Sequence, residues 1–383
     1  MVIGIDCRLW EESGVGRYTQ NLVKNFSLLR TPHEFVFFAQ RRHVHQIQSI
    51  IGKRKWRIIA VKSKWHSLSE QALLPFILKR AKIDLMHFPY MSAPLLYNRP
   101  FVVTIHDLIP YHFVTGEATT LPPFVYRLKR IAYKTVLSSA IKKAKRIIAV
   151  SNATKEAIIN NFSINQQKVS VIYEGVDSAI HTSSHLLSEE EKNAASFLKN
   201  TEYLLYIGNA YPHKNLKKLI EAFRLIGEEY PSLKLFLVGK DDHFYKRLRL
   251  FIQEMGLTKA VIHFGFVSDP FLYYLYKNAH ALVAPSLMEG FGLSVLEAMA
   301  NRCLVVCSDI PVFRELYLDT VLYCDPKKTQ DIARVLKKTI LLKTHERTVF
   351  VQKAHARTYH FSWETAAKET IDVYESCSLA SSE

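Results

Sequence analysis

Short, continuous runs of apolar and β-branched residues, each followed by a segment of helical period, recur along this chain. VIGID (2–6), FVFFA (35–39), RIIAV (57–61), LMHF (85–88), FVVTI (101–105), RIIAV (146–150) and VSVIY (169–173) read as strands. A second series follows: YLLYIG (203–208), KLFLVG (234–239), VIHFG (261–265), ALVAP (281–285), CLVVCSD (303–309) and VLYC (321–324). A strand that is apolar along its whole length needs cover on both faces, which a parallel sheet flanked by helices provides. Segments such as LKKLIEAFRLIGEEY (216–230) and SVLEAMA (294–300) supply those helices. Two successive series predict an α/β chain of two doubly wound, Rossmann-like domains. At about 150 residues per domain, the 383 residues suit that number.

The segment EGVDSAIHTSSHLLSEEEKN (174–193) is polar and free of strand pattern. It places the division at residues 1–178 for an N-terminal domain and 179–361 for a C-terminal one. The last helix, SWETAAKETIDVYES (362–376), follows no strand from which it crosses over. Residues 362–383 are therefore expected to pack back on the N-terminal domain.

Charged residues at 22% and hydrophobic residues at 48% exclude a disordered chain. No run reaches the roughly 18 apolar residues of a spanning helix, and MVIGIDCRLW has no signal-peptide pattern. Cys7, Cys303, Cys307, Cys324 and Cys377 form no CxxC pair, as expected of free thiols in the cytoplasm. The net charge is +16, and residues 1–180 hold 26 basic against 11 acidic residues. Nearly all the excess thus sits in the first half, which favours a phosphate-rich partner: nucleic acid, an anionic lipid surface or a phosphorylated substrate.

Four segments carry chemistry. In ALVAPSLMEGFGLSVLEAMA (281–300) a strand, a loop with Gly290 and Gly292, and a helix beginning near Ser294 succeed one another. A helix N-terminus offers unpaired N–H groups to a phosphate. Glu289 and Glu297 flank it and make electrostatic sense facing hydroxyls, since they would repel phosphate. The alternative is a simple turn with Ser294 and Glu297 as a capping box. In YIGNAYPHKNLKKL (206–219), Lys214 stands at the C-terminal end of a strand, placed either to neutralise a phosphate or within a solvated basic face with Lys217 and Lys218. Gly14-Val15-Gly16, with Arg17 beside it, opens a helix after the first strand, but Thr19 replaces the third glycine of a dinucleotide fingerprint. His106 and Asp107 end the strand FVVTI, and His87 lies in LMHFPY; each histidine is either a ligand donor or a core residue. Asp107, adjacent to His106, points to the opposite face and makes a weak general base.

In this order the segments resemble the GT-B glycosyltransferases, specifically the retaining family 4, or group 1, enzymes. EGFGLSVLEAMA carries the Glu-x7-Glu signature through Glu289 and Glu297; YIGNAYPHKN, VSNATKEAI (150–158) and GVGRYTQNL match further family segments. The resemblance covers essentially the whole chain. It implies two domains facing across a cleft, the C-terminal one holding a nucleotide-sugar donor and the N-terminal one the acceptor. By resemblance Glu297 holds the ribose hydroxyls, and Glu289 binds the transferred sugar with the backbone of Phe291, Gly292 and Leu293; Gly290 and Ser294 also belong to the donor site. Lys214 neutralises the diphosphate, His106 lies near the reacting sugar, and Phe266 and Val267 sit beside the base. Gly14, Val15, Gly16, Arg17 and His87 are assigned to the acceptor side or a phosphate loop. Many relatives carry Arg where this chain has Asn209, so the donor loop has one cation fewer; either Arg17 substitutes or Lys214 and the helix N–H groups suffice.

The resemblance further implies retention by front-face attack, with the departing phosphate oxygen taking the acceptor proton. No D-x-D motif is present, so neither metal nor other cofactor is expected. TIHDLIP with YIGNAYPHKN favours GDP-mannose, with UDP-sugars open, and an acceptor that is a glycan or a lipid-linked sugar in bacterial polysaccharide or lipopolysaccharide assembly. KRKWR (53–57), VKSKW (61–65) and PPFVYRLKRIAYKTVLSSAIKKAKRII (122–148) interleave cations with aromatics. The last reads either as a basic amphipathic helix on the inner face of an anionic membrane or as a core-facing helix with a solvated side. Competing activities are sugar-nucleotide epimerisation, a phosphorylase and a nicotinamide dehydrogenase. A nucleic-acid-binding protein leaves Glu289 and Glu297 unexplained, so nucleic acid is not an expected partner.

Overall fold

A computed structural model describes residues 1–65, 67–113, 122–176, 187–199 and 201–379. They fall into two compact units. The first takes residues 1–112, those from 122 to Gly175, and those from Phe361 onward; the second takes Phe113 and the described part of Val176–His360. The break after residue 178 expected from the sequence lies outside the described residues.

In the first unit β1 (Val2–Asp6), β2 (Glu34–Ala39), β3 (Arg57–Ala60), β4 (Leu85–Phe88), β5 (Phe101–Ile105), β6 (Arg146–Ala149) and β7 (Val169–Val171) form one sheet. Its order is β3-β2-β1-β4-β5-β6-β7, every pair parallel. In the second unit β8 (Tyr203–Ile207), β9 (Lys234–Val238), β10 (Val261–Gly265), β11 (Ala281–Ala284), β12 (Val305–Ser308) and β13 (Leu322–Cys324) form the other. That sheet runs β10-β9-β8-β11-β12-β13, again all parallel. Each apolar run of the sequence is one of these strands. The central ones are buried from end to end, as in β5, whereas the edge strand β3 exposes Arg57 and Ala60. A charged edge discourages pairing with another chain.

In both sheets the chain winds outward to one side, then returns and winds to the other. The reversal falls between β1 and β4 in the first sheet and between β8 and β11 in the second. Loops leaving neighbouring strands at such a point diverge and open a crevice at the carboxyl ends, where doubly wound sheets bind ligands.

The helix Trp363–Leu379 belongs to the first unit. It lies against the helix Ser13–Leu28, with the Phe26 and Tyr374 rings 6.2 Å apart and those of Tyr18 and Trp363 5.8 Å apart. At Gly175 any Cβ would fall 2.2 Å from the Trp363 amide nitrogen, so only glycine admits this approach.

Candidate functional site

The crevice of the second unit is built by the loops after β8 and β11. After β8, residues Pro212–Lys214 form a single 3₁₀ turn, and Asn215 adopts a left-handed conformation with φ of 61°. The Asn215 side-chain Nδ2 donates to the Pro285 and Pro326 carbonyls at 3.0 and 2.7 Å, and the Leu287 backbone amide donates to the His213 carbonyl at 2.7 Å. These bonds lock the two loops together. They bring Lys214 Nζ to 2.6 Å from Glu289 Oε1, which also accepts from Ser286 Oγ at 2.6 Å. The lysine and glutamate side chains are only 20% and 11% exposed, so the pair is largely shielded. Burial pushes the Glu289 carboxyl up, but Lys214 and then His213 outweigh it, holding the group ionised and below the usual carboxylate range. His213 is driven down to about 4 by burial and then by Lys214.

Past Glu289, Gly290 and Phe291 are buried, and Gly292 takes φ of 90°. Gly292 caps the helix Leu293–Ala300, so the sequence expectation that Ser294 caps it is corrected. Ser294 lies inside the first turn, and the capping box with Glu297 does not form. A left-handed cap needs no side chain, and Gly292 also gives space, since a Cβ there would fall 2.6 Å from Phe313. The buried Glu297 carboxylate accepts instead from the Tyr276 hydroxyl at 3.0 Å. Leu293 and Ser294, as the first residues of the helix, have amides with no intrahelical acceptor.

Asn209 follows Gly208 at the end of β8, and its side-chain oxygen accepts from the Tyr211 amide at 3.3 Å. After β10, Gly265 turns with φ of 73°, leaving Phe266 exposed and Val267 half-buried. The second unit thus brings Lys214, Glu289 and the 290–294 loop together at the reversal of its sheet.

In the first unit the loop after β1 is closed by an ion cluster. Arg8 pairs with Asp6 at 2.6 Å and with the fully buried Glu70 at 2.7 Å. Gly16 lies within the helix Ser13–Leu28, where a Cβ would fall 2.5 Å from the Trp10 carbonyl; Gly14 faces open space. The glycine at 16 therefore serves packing against the preceding turn. Val15 is half-buried and, with Asp6, Thr19, Trp65, Tyr90 and Ser92, lines a small recess at the β1/β4 reversal; Arg17 is half-buried.

The two histidines are occupied within this unit. His106 Nε2 lies 2.9 Å from the Pro89 carbonyl and Nδ1 lies 2.9 Å from Glu174 Oε1. Both partners only accept, so the doubly protonated ring suits both. Burial alone lowers its basicity, but Glu174, the Pro89 carbonyl and Asp107 raise it overall. A ligand contact through either nitrogen requires one of these bonds to open. His87 is fully buried, with Nδ1 2.6 Å from the Tyr374 hydroxyl and Nε2 2.8 Å from Thr104 Oγ1. His87 joins β4 and β5 to the helix Trp363–Leu379, which corrects its assignment to a ligand-facing position. Asp107 accepts from the Ile109 amide at 2.8 Å and fixes the turn after β5.

These histidines give the first unit opposite pH limbs. Burial, then His106, drives His87 down to about 3 from 6.5, so the unfolded chain takes up a proton that the fold refuses. Stability then falls by about 1.4 kcal/mol per pH unit below that unfolded value. His106, raised above 6.5, contributes fully below that pH and loses its contribution as pH rises through the folded value. All four tryptophans (Trp10, Trp56, Trp65 and Trp363) lie in the first unit, so their fluorescence reports its unfolding. The urea midpoint by fluorescence is expected to peak at about pH 6–7. His87→Gln is expected to flatten the acid limb; an acid limb as steep as before would exclude His87 as its source.

The sequence reading missed what holds these groups: Ser286 on Glu289, Tyr276 on Glu297, and Arg8 with Glu70. Ser286 and Tyr276 carried no signal, because nothing in a strand or helix period says where a hydroxyl points. No group of three or more metal-ligating side chains is found among the described residues.

Comparison with known proteins supplies a family. Residues 188–357 match the profile of glycosyl transferases group 1, and residues 13–179 match that of glycosyltransferase family 4. The O-antigen chain mannosyltransferase B of Escherichia coli is 27% identical over 95% of this chain and 96% of its own length. The O-antigen chain mannosyltransferase RfbU of Salmonella typhimurium is 28% identical over 68% of this chain and 66% of its own length. Among solved structures, Anabaena HepE in complex with UDP-glucose superposes with a TM-score of 0.76 at 20% identity, covering 98% of this chain and 100% of its own. WaaG, a glycosyltransferase involved in lipopolysaccharide biosynthesis, does so with a TM-score of 0.72 at 15% identity, covering 97% and 99%. At these identities the likeness is one of fold.

Proposed function

Because the chain belongs to the group 1, family 4 glycosyltransferases and has their GT-B fold, we propose that it transfers mannose from GDP-mannose to a lipid-linked glycan acceptor during O-antigen or related lipopolysaccharide assembly. The donor preference is supported by the two mannosyltransferase relatives. The observation that carries the site is the shielded Lys214–Glu289 pair, held at the β8/β11 reversal beside the first amides of the helix Leu293–Ala300.

In this reading the second unit holds the donor. The exposed Phe266 and the adjacent Val267 lie beside the base, Glu297 takes the ribose hydroxyls, and Asn209 lies along the diphosphate. Breaking the glycosidic bond builds negative charge on the diphosphate, which the Lys214 ammonium and the amides of Gly292, Leu293 and Ser294 stabilise. Glu289 holds Lys214 in place and offers its remaining oxygen to the sugar hydroxyls. The acceptor hydroxyl attacks from the leaving-group face, and its proton passes to the departing phosphate oxygen. Configuration is then retained with neither a protein base nor a metal. His106, held by Glu174 and the Pro89 carbonyl, lies in the first unit, which binds the acceptor through the loops after β1 and β4, with Gly14 and Arg17 at the entrance.

No helix of the described residues is long and apolar enough to cross a membrane. The reading places the protein in the cytoplasm, resting on the inner membrane through an apolar and basic face of the first unit.

Thermal shifts with GDP-, UDP-, ADP- and dTDP-sugars test the donor. A ligand at 100 times its Kd adds about 2.7 kcal/mol of stability, several degrees in Tm. GDP-mannose is expected to give the largest shift, unchanged by EDTA. A larger shift with a UDP-sugar would overturn the choice of nucleotide, and loss of the shift in EDTA would overturn metal independence.

A further inference from the structure

Three buried tyrosine hydroxyls in the second unit donate to backbone carbonyls of the two crevice loops. Tyr206 Oη donates to the Asn209 carbonyl at 2.6 Å, and Tyr245 Oη to the Gly208 carbonyl at 2.8 Å. On the other loop Tyr317 Oη lies 3.0 Å from the carbonyls of both Phe291 and Gly292. A peptide group is planar and trans, so its N–H points opposite to its C=O. Holding these four carbonyls, that of Gly292 together with the Val295 and Leu296 amides, therefore turns the N–H groups of Asn209, Ala210, Gly292 and Leu293 the other way. None of these four amides donates to another group among the described residues. Such amides gather where an anion is to be bound.

The surrounding residues preserve the arrangement. A Cβ at Gly239 would fall 2.1 Å from the Gly208 carbonyl and 2.7 Å from the Tyr245 hydroxyl, so the glycine leaves room for their bond. Gly208 has φ of 147°, and a Cβ there would fall 2.9 Å from the Tyr206 hydroxyl. Burial pushes the Tyr206 and Tyr245 hydroxyls up, so both remain protonated donors at neutral pH. A peptide that flipped would present its carbonyl to the phosphate and replace attraction by repulsion.

We propose that Tyr206, Tyr245 and Tyr317 are positioning residues that fix four backbone amides towards the diphosphate of the donor. The inference rests on the reading that the second unit binds a nucleoside diphosphate-sugar. Each hydroxyl acts through a peptide plane and touches no ligand itself.

Titration calorimetry of the full chain with GDP and UDP, and with guanosine and uridine, tests it. Tyr206→Phe, Tyr245→Phe and Tyr317→Phe are each expected to weaken binding of the diphosphate roughly tenfold while leaving that of the nucleoside unchanged. Tyr203→Phe is the control, because Tyr203 makes a like bond to the Leu275 carbonyl at 2.8 Å at the other end of β8. It is expected to lower thermal stability and leave both affinities unchanged. Wild-type diphosphate affinity in the three loop variants would overturn the inference, as would parallel losses for nucleoside and diphosphate. A wild-type chain that binds neither diphosphate would overturn the donor reading itself, and the inference with it.

Discussion

Lys214→Ala is expected to lower kcat by about 10²–10³, the loss typical when one preorganised partner of a developing negative charge is removed. On the proposed mechanism the ammonium stabilises the diphosphate more as the glycosidic bond breaks than in the ground state, so kcat should fall more than KM rises. The variant has a second effect that must be separated from the first. Lys214 and Glu289 face one another at 2.6 Å in a shielded crevice, so removing the cation leaves a carboxylate with Ser286 as its remaining hydrogen-bond donor. Breaking a fully buried pair costs about 3–5 kcal/mol; the partial exposure of Lys214 puts the cost here below that range.

The double variant Lys214→Ala/Glu289→Gln separates these effects. A neutral amide removes the stranded charge, so thermal stability should largely return while turnover stays low. Lys214→Arg keeps the charge but spreads it over a wider fork, and should retain more activity than the alanine variant. Near-wild-type turnover in Lys214→Ala, or turnover that recovers with stability in the double variant, would remove Lys214 from the chemistry.

The sequence yielded the fold because strands buried on both faces have no alternation to obscure. FVVTI and ALVAP carry no charge and no polar alternation, and their burial follows from their central positions in the sheets. The Lys214–Glu289 pair was within reach as two conspicuous charges beside loop signals, though not the fact that they face each other. His87 was not decidable. Its enclosure depends on Tyr374, nearly 300 positions along the chain, and no local pattern reports such a contact. Ser294 misled for a different reason: Ser before an apolar run commonly marks an N-cap, and here a glycine at positive φ took that place. Tyr206, Tyr245 and Tyr317 read as core aromatics, and by burial they are. Only their hydroxyl ends act on the crevice.

Serine at Leu128 and Ile131 together is expected to weaken binding to anionic vesicles about a hundredfold while leaving folding intact. On the helix Pro123–Lys143, the residues Leu137, Ala140 and Ile141 are buried, so they mark its core side. Phe124, Leu128 and Ile131 recur at i, i+4 and i+7 and are 73%, 53% and 58% exposed. At 100° per residue their stripe is centred opposite the buried one. A solvated helix would carry charge at the centre of that outer face and apolar residues at its margins. The first half of this helix has the reverse, with Arg127 and Lys129 to either side, whereas Lys142 lies on the outer line in its last turn.

The helix Leu68–Arg80 repeats the pattern: Leu74 and Leu78 are buried, while Leu68, Leu73 and Phe76 face outward with Lys79 and Arg80. The two helices are joined through Leu95, whose amide donates to Gln71 and whose carbonyl accepts from Lys143, both at 2.8 Å. The exposed Leu96 lies at that junction. An apolar face fringed by cations fits an anionic lipid surface, where each cation adds about 1 kcal/mol and the apolar side chains enter the headgroup boundary. Sedimentation with phosphatidylglycerol vesicles should exceed that with phosphatidylcholine and decline with salt. Arg127→Glu/Lys129→Glu should weaken the salt-sensitive part and leave the apolar part. Equal sedimentation with both lipids, or binding indifferent to Leu128 and Ile131, would return this face to solvent.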